Sequence, residues 1–172
     1  MRLIVRTAQR YLALAGVAAA ALAAASCAPP VDLTKNLQVL DVSTGWLDAG
    51  IVNGQNKLVP TITFTLKNLS DQSLKVLQAN VLFHRVSDPA VEWGSGFLSV
   101  AGSEGLAPGA QTHPLTVKSN LGYTGSDQTR QEMLQNKAFV DATVQVFAKY
   151  GSTQWVKMGE FPIERRLIAN QS

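Results

Sequence analysis

The chain holds one cysteine, Cys27, and two histidines, His84 and His113, and these bound the covalent, metal or proton-transfer chemistry its side chains could carry. A lone thiol cannot close an intramolecular disulfide, so Cys27 must meet another molecule or be modified. The histidines stand 29 positions apart, and neither has a second His, Cys or carboxylate at the spacing of a metal-ligand set. His84 falls on the outward face of an expected strand and reads as a solvated side chain, while His113, just before Pro114, reads as a strand entrance. Gly94-Ser95-Gly96 superficially fits a phosphate or nucleophile loop. The nucleophile elbow needs glycines two residues to either side of its serine, between a strand and a helix. The dinucleotide fingerprint needs a third glycine where Ser99 stands, so this stretch reads as a flexible loop. Asp88, Glu92 and Glu104 share a loop-rich, glycine-flanked region, where solvent would leave a carboxylate untuned for catalysis. No catalytic residue, metal site or cofactor is expected.

Ahead of Cys27 the chain opens MRLIVRTAQR, with Arg2, Arg6 and Arg10 and no acid, and then runs apolar from Tyr11 to Ala25. A basic head, a short apolar stretch and small residues at its exit are the three parts of an export signal. The stretch is alanine-rich and shorter than the ~20 strongly apolar residues of a permanent span, which leaves an uncleaved anchor as the alternative. Residues 1–26 are expected to be a signal peptide. Leu22-Ala23-Ala24-Ala25-Ser26-Cys27 resembles the lipobox of bacterial lipoproteins, departing from it at Ala24, where that family carries leucine. The resemblance implies that the Cys27 thiol receives a diacylglyceryl group, that the leader is removed, and that acylated Cys27 becomes the first residue and tethers the chain to a membrane. Several acyl chains together anchor stably where one does not. Ala28, standing where that family often has an aspartate for inner-membrane retention, implies the outer membrane of a bacterial cell envelope, facing the periplasm. Ordinary cleavage at an Ala-x-Ala site within Ala23 to Ala25 would instead leave a free thiol. Pro29-Pro30 cannot enter a helix, so residues 27–36 read as a lipidated linker.

Charge narrows the partners. Three of the fifteen Lys and Arg residues precede Cys27, and all twelve Asp and Glu follow it, so the mature chain balances twelve bases against twelve acids. Nucleic-acid binding needs clustered positive charge to displace counterions, and no basic run exceeds Arg165-Arg166. Nucleic acid is not an expected partner, and the arginine pair reads as a solvated strand end.

Beyond the linker, PTITFTLKN alternates Ile62, Phe64 and Leu66 with Thr61, Thr63, Thr65 and Lys67, the pattern of a half-buried strand. FVDATVQVFAKY places Val140, Ala142, Val144, Val146 and Ala148 on one face, with Asp141, Thr143, Gln145 and Lys149 opposite. SLKVLQANVLFHRV offers Leu77, Ala79, Val81 and Phe83 as a third inward face. Such alternation belongs to antiparallel sheets, because parallel ones are covered on both faces. Polar turns at Asn68 to Gln72, Leu106-Ala107-Pro108-Gly109 and Tyr150 to Thr153 separate these runs. With LQVLDVSTGWL, GFLSV, PLTVK and QWVKM the count is about seven strands. Thr129-Arg130-Gln131-Glu132 has capping-box spacing, so Ser126 to Lys137 should hold a short helix that lays Met133 and Leu134 on the sheets. Residues 37–168 are expected to form an all-β domain, an antiparallel β-sandwich with one short helix, ending in a frayed tail over Ile168 to Ser172.

From Ile62 to about Val117, ITFTLKNLSDQSLKVLQANVLFHRV followed by LAPG resembles the FxLYD-type and related immunoglobulin-like domains of bacterial envelope proteins. The resemblance implies an immunoglobulin-like sandwich and a binding or spacing role. Val81-Leu82-Phe83-His84-Arg85 lacks the Leu-Tyr-Asp element, so no functional residue is carried over. Trp93 and Tyr123 sit beside glycines in expected loops. Exposed there, they would anchor a protein interface; turned inward, they would plug the ends of the sandwich. The expected function is that of a lipid-anchored envelope protein serving as a non-enzymatic interaction or assembly module for another envelope protein. Binding of a small envelope ligand, a lipid or a cell-wall fragment, is the second reading, and a hydrolase using His84 or His113 with a carboxylate the third.

Overall fold

The computed structural model describes residues 29–168. Cys27, the leader and the last four residues lie outside the described residues, and the export and acylation expectations fall on them.

The longest pairing joins β1 (Leu37–Val52) to β2 (Gln55–Asn68). Asn53 and Gly54 link them with φ of +51° and +77°, the pair of left-handed residues that a two-residue hairpin with the strands' own twist requires. β5 (Leu115–Lys118) and β6 (Tyr123–Gly125) pair with the far side of β2, and β9 (Leu167–Ile168) pairs parallel to β1. The opposing sheet has the order β4-β3-β7-β8, built from β3 (Leu77–Arg85), β4 (Asp88–Ala101), β7 (Ala142–Tyr150) and β8 (Val156–Pro162). Two such layers make the all-β sandwich expected from the alternation. Among the described residues seven strands have four or more residues, as counted from sequence; β6 and β9 are short additions.

The alternation is realised. Ile62, Phe64 and Leu66 of one sheet and Ala79, Val81 and Phe83 of the other are wholly buried, and Val81 lies opposite Val146 and Phe83 opposite Val144. Fully burying each of these side chains other than Ala79 contributes about 1.5–3 kcal/mol.

Among the described residues two helices stand where one was expected. α1 (Leu33–Asn36) occupies the stretch assigned to the linker. The Asp32 carboxylate accepts the Thr34 amide at 3.0 Å and the Thr34 hydroxyl at 2.6 Å, an N-cap that satisfies amides with no partner inside the turn. Leu33 is thereby carried into the core, and the Val31 amide donates to the Tyr150 hydroxyl. The compact domain accordingly begins at Val31, not Leu37. α2 (Arg130–Gln135) opens on the expected capping box: the Thr129 hydroxyl accepts the Glu132 amide at 3.3 Å, and the Glu132 carboxylate accepts the Thr129 amide at 2.7 Å. Met133 and Leu134 are buried. Ile168, expected to fray, lies in β9 opposite Leu47, where the Arg166 carbonyl accepts the Trp46 amide at 2.8 Å.

The sandwich has two ends. The root gathers α1, the Asn68–Leu77 crossover between the sheets and the β7–β8 turn; the tip gathers the β1–β2 hairpin, the β3–β4 turn and the β5–β6 loop. Among the described residues no helix is long and apolar enough to cross a membrane.

Gly94-Ser95-Gly96 is part of β4, not a loop, and its glycines close the sandwich. A Cβ on Gly94 would stand 2.0 Å from Ser119 Oγ, and one on Gly96 2.3 Å from Val117 Cγ1, so β4 can lie across β5 only without side chains there. Gly96→Ala should lower the unfolding free energy by about 1–3 kcal/mol, the usual cost of overpacking. Gly102→Ala, where a Cβ meets open space, should change it by less than about 0.5 kcal/mol, both read from urea midpoints.

Candidate functional site

Near its tip, β1 carries a bulge between Asp48 and Ile51, where the register with β2 shifts and Gly50 takes φ +81°. The Asp48 carboxylate fixes this bulge, accepting the Gly50 amide at 2.8 Å and pairing with Arg130 Nε at 2.9 Å. A bulge of this kind increases the local twist, and Ile51 beyond it is 69% exposed. Across a groove stands the β5–β6 loop. Its Ser119 hydroxyl accepts the Leu121 amide at 3.1 Å, the Lys57 ammonium donates to the Asn120 carbonyl at 3.3 Å, and the Asn120 side-chain carbonyl accepts the Ser95 amide at 3.3 Å. Gly122 lies so close to β2 that a Cβ would fall 2.2 Å from the Leu58 carbonyl oxygen. So pinned, the loop leaves Leu121 exposed.

The groove between hairpin and loop has a volume of about 640 Å³ and is lined by Leu47, Asp48, Lys57, Val59, Lys118 and Asn120, among others. Asp48 is neutralised by Arg130, so the ammonium groups of Lys57 and Lys118 set the sign of the lining. A mixed lining, with Leu47 and Val59 beside two ammonium groups, suits a ligand or chain segment that brings apolar groups together with carbonyl or carboxylate oxygens.

Trp93 and Tyr123 are not on the surface of this site. They belong to a ring cluster at the tip end of the core, with centroids 6.2 Å apart for Trp46 and Trp93, 4.5 Å for Trp46 and Phe139, and 4.8 Å for Tyr123 and Phe139. The reason is local. Phe83 pairs with Gly94 and His84 with Glu92, so Trp93 is the extra residue of a bulge, and it packs against the core. Tyr123 lies in β6, hydrogen-bonded along β2, rather than in a loop. The exposed apolar residues are instead Val91 and Leu121, each two positions earlier. Of the two readings offered by the sequence, the inward one describes both aromatics.

Arg165 locks the segment beneath the cluster. Its guanidinium donates to both Asp141 oxygens, at 2.6 and 2.8 Å, and lies 5.3 Å from the Phe139 ring centroid. Weaker bonds reach the carbonyls of Leu134, Asn136 and Phe139. The arginine pair is therefore more than a solvated strand end, and Arg166 likewise pairs with Glu164 at 2.7 Å.

The remaining chemistry-bearing residues do not converge. His84 keeps the outward face expected of it but is buried at 8% exposure, its Nδ1 3.2 Å from the Val91 carbonyl. The solvated histidine expected there is corrected by β4, which covers it. His113 is exposed near the root side of β5, Asp88 faces Arg85 at the tip, and Glu104 lies in the root. Among the described residues no group of three His, Cys, Asp or Glu side chains could hold a metal ion.

No protein-family model matches this chain, and no curated protein matches it. A solved structure described as "X-ray structure of Northeast Structural Genomics Consortium target SoR45" is similar to it, with a TM-score of 0.45 and 14% identity over 77% of this chain and 89% of that one.

The Arg165 guanidinium, mainly by hydrogen bonding, holds the Asp141 carboxyl below its usual range. Its contribution to stability is therefore complete at neutral pH and disappears as the pH falls through the folded-state value. Asp141→Asn should cost less than about 1 kcal/mol at pH 7, since the pair is half exposed, and the difference from wild type should vanish in acid. Urea midpoints across that range check both.

Proposed function

We propose that this chain is a lipid-anchored protein of the bacterial cell envelope whose sandwich is a non-enzymatic contact module, offering its tip to another envelope protein. The tip carries the reading: a capped bulge and a pinned loop leave Ile51 and Leu121 exposed, and two lysines line the groove between hairpin and loop. Apolar side chains exposed together around a concave surface lose that exposure in an interface. The anchor is supported by the leader pattern and by Leu22 to Cys27. Acylation would also protect a lone thiol from intermolecular disulfides in an oxidising compartment. Placement at the outer membrane, facing the periplasm, is supported by Ala28 after Cys27, through the resemblance to bacterial lipoproteins.

A second reading is binding of a small envelope ligand, a lipid or a cell-wall fragment. It is favoured by the groove's size, about 640 Å³, within the range of small-molecule sites.

Two experiments test the proposal. Mass spectrometry of the mature chain should find residues 1–26 removed and Cys27 acylated, and Cys27→Ala should move the protein out of the membrane fraction. Amine-reactive crosslinking in intact envelopes should join Lys57 or Lys118 to a partner protein. Leu121→Asp should abolish those crosslinks while leaving the unfolding midpoint unchanged, because the side chain is exposed. Crosslinks that survive the substitution would move the interface elsewhere. Saturable binding of an envelope lipid or glycan to the isolated protein, lost in the same variant, would favour the second reading.

A further inference from the structure

We propose that a corner of the root, made by Val76, Phe97 and Trp155 with Lys75 and Lys149, rests in the headgroup layer of a phospholipid bilayer. This depends on the reading that Cys27 is acylated.

The corner lies on the outward side of the four-stranded sheet. Ala79 and Val81 of β3 face the core, so Asn80 faces out, and Phe97 and Phe147 flank it in register on β4 and β7. Phe97 is 58% exposed and Trp155 39%. Their rings meet edge to face with centroids 6.4 Å apart, and the Lys149 ammonium sits 4.9 Å from the Trp155 ring centroid. In water, the outward face of a sandwich sheet is normally polar. An indole beside a lysine ammonium is instead the composition of a membrane interface.

Val76 adds a second, independent observation. Its φ is +51°, a left-handed backbone that a β-branched side chain adopts only at a steric cost and that asparagine or glycine would take easily. Its amide donates to the Gly102 carbonyl at 2.8 Å, and its carbonyl accepts the Gly151 amide at 3.3 Å, which hold it in this conformation. The result is an apolar side chain presented to the outside from a strained position, beside exposed Lys75.

The tether selects a bilayer as the occupant. The Val31 amide is bonded to the Tyr150 hydroxyl, and Tyr150 directly follows Lys149. Cys27 is four residues before Val31, a reach of at most about 14 Å. Because α1 is folded into the domain rather than extended, an acylated Cys27 keeps the root near the lipid surface, where even weak contacts form at high effective concentration. The tip groove, at the opposite end, stays free for a partner.

The test uses the full, processed protein in vesicles of phosphatidylethanolamine and phosphatidylglycerol carrying brominated acyl chains, with the mass of the Cys27 peptide measured on the same sample. Bromolipid should quench the Trp155 share of the emission, read as the difference between wild type and Trp155→Phe, and leave buried Trp46 and inward Trp93 unaffected. Val76→Asn, which relieves the backbone conformation, should reduce that quenching without lowering the unfolding midpoint. If Cys27 is acylated and Trp155 is not quenched, or Trp155→Phe is quenched as strongly as wild type, this proposal falls and the anchor stands. A bare thiol overturns the anchor and this proposal with it. Shielding of Trp155 from aqueous acrylamide in native envelopes, with no bromolipid quenching, would assign the corner to a protein and overturn the bilayer contact.

Discussion

The side chain of Asn68 is the constraint on which the domain's geometry rests. It is wholly buried at the end of β2, where the chain leaves one sheet for the other. Its amide group donates to the carbonyls of Gln72, Leu106 and Ala107 at 2.8, 2.8 and 3.2 Å, and its own carbonyl accepts the amide and hydroxyl of Ser70 at 2.9 and 2.7 Å. Its backbone adds bonds to Ala110 and Gly109. A crossover must turn its own peptide groups away from both sheets, and each one left buried without a partner costs about 1–3 kcal/mol. One asparagine side chain meets four peptide groups and a hydroxyl at once. It also ties the crossover to the turn before β5, so that β3 starts at Leu77 with its inward face set against Ile62, Phe64 and Leu66.

Little of the remaining polar architecture stabilises in its own right. The ion pairs are at least partly exposed and worth little individually; their effect is positional. Arg130 and Asp48 decide how the β1–β2 hairpin bends, and Arg165 and Asp141 hold the segment that carries Phe139 under Trp46 and Tyr123. Close backbone approaches at Gly94, Gly96 and Gly122 do similar work without charge. They draw the β4 edge and the β5–β6 loop onto the sandwich, which is what places Leu121 opposite the hairpin.

The two ends thus differ in chemistry. At the tip, Leu47 and Val59 share a groove with two lysines. At the root, two aromatic rings and a strained valine lie beside lysines and close to where the chain enters the domain. The proposed function draws on that division, because a single face cannot meet a bilayer and a partner at the same time.

The amino-acid sequence by itself determined the class of fold, the inward faces of β2, β3 and β7, the capping box at Thr129 and the equal number of acids and bases after Cys27. Each rests on contacts between near neighbours or on a simple period, so the order of residues carries it directly. The Asn53-Gly54 hairpin and Phe147, an aromatic standing among the polar residues of β7, were equally legible signals of the tip and of the outward aromatic face, though no role was read from them. Tertiary structure alone decided the direction of Trp93, because a bulge is defined by the partner strand it is counted against. It likewise decided the burial of His84 under β4, the folding of residues 31–36 onto the domain, and which exposed side chains share an end. Those depend on register and on distances between segments far apart in the chain, and local pattern holds no information about either.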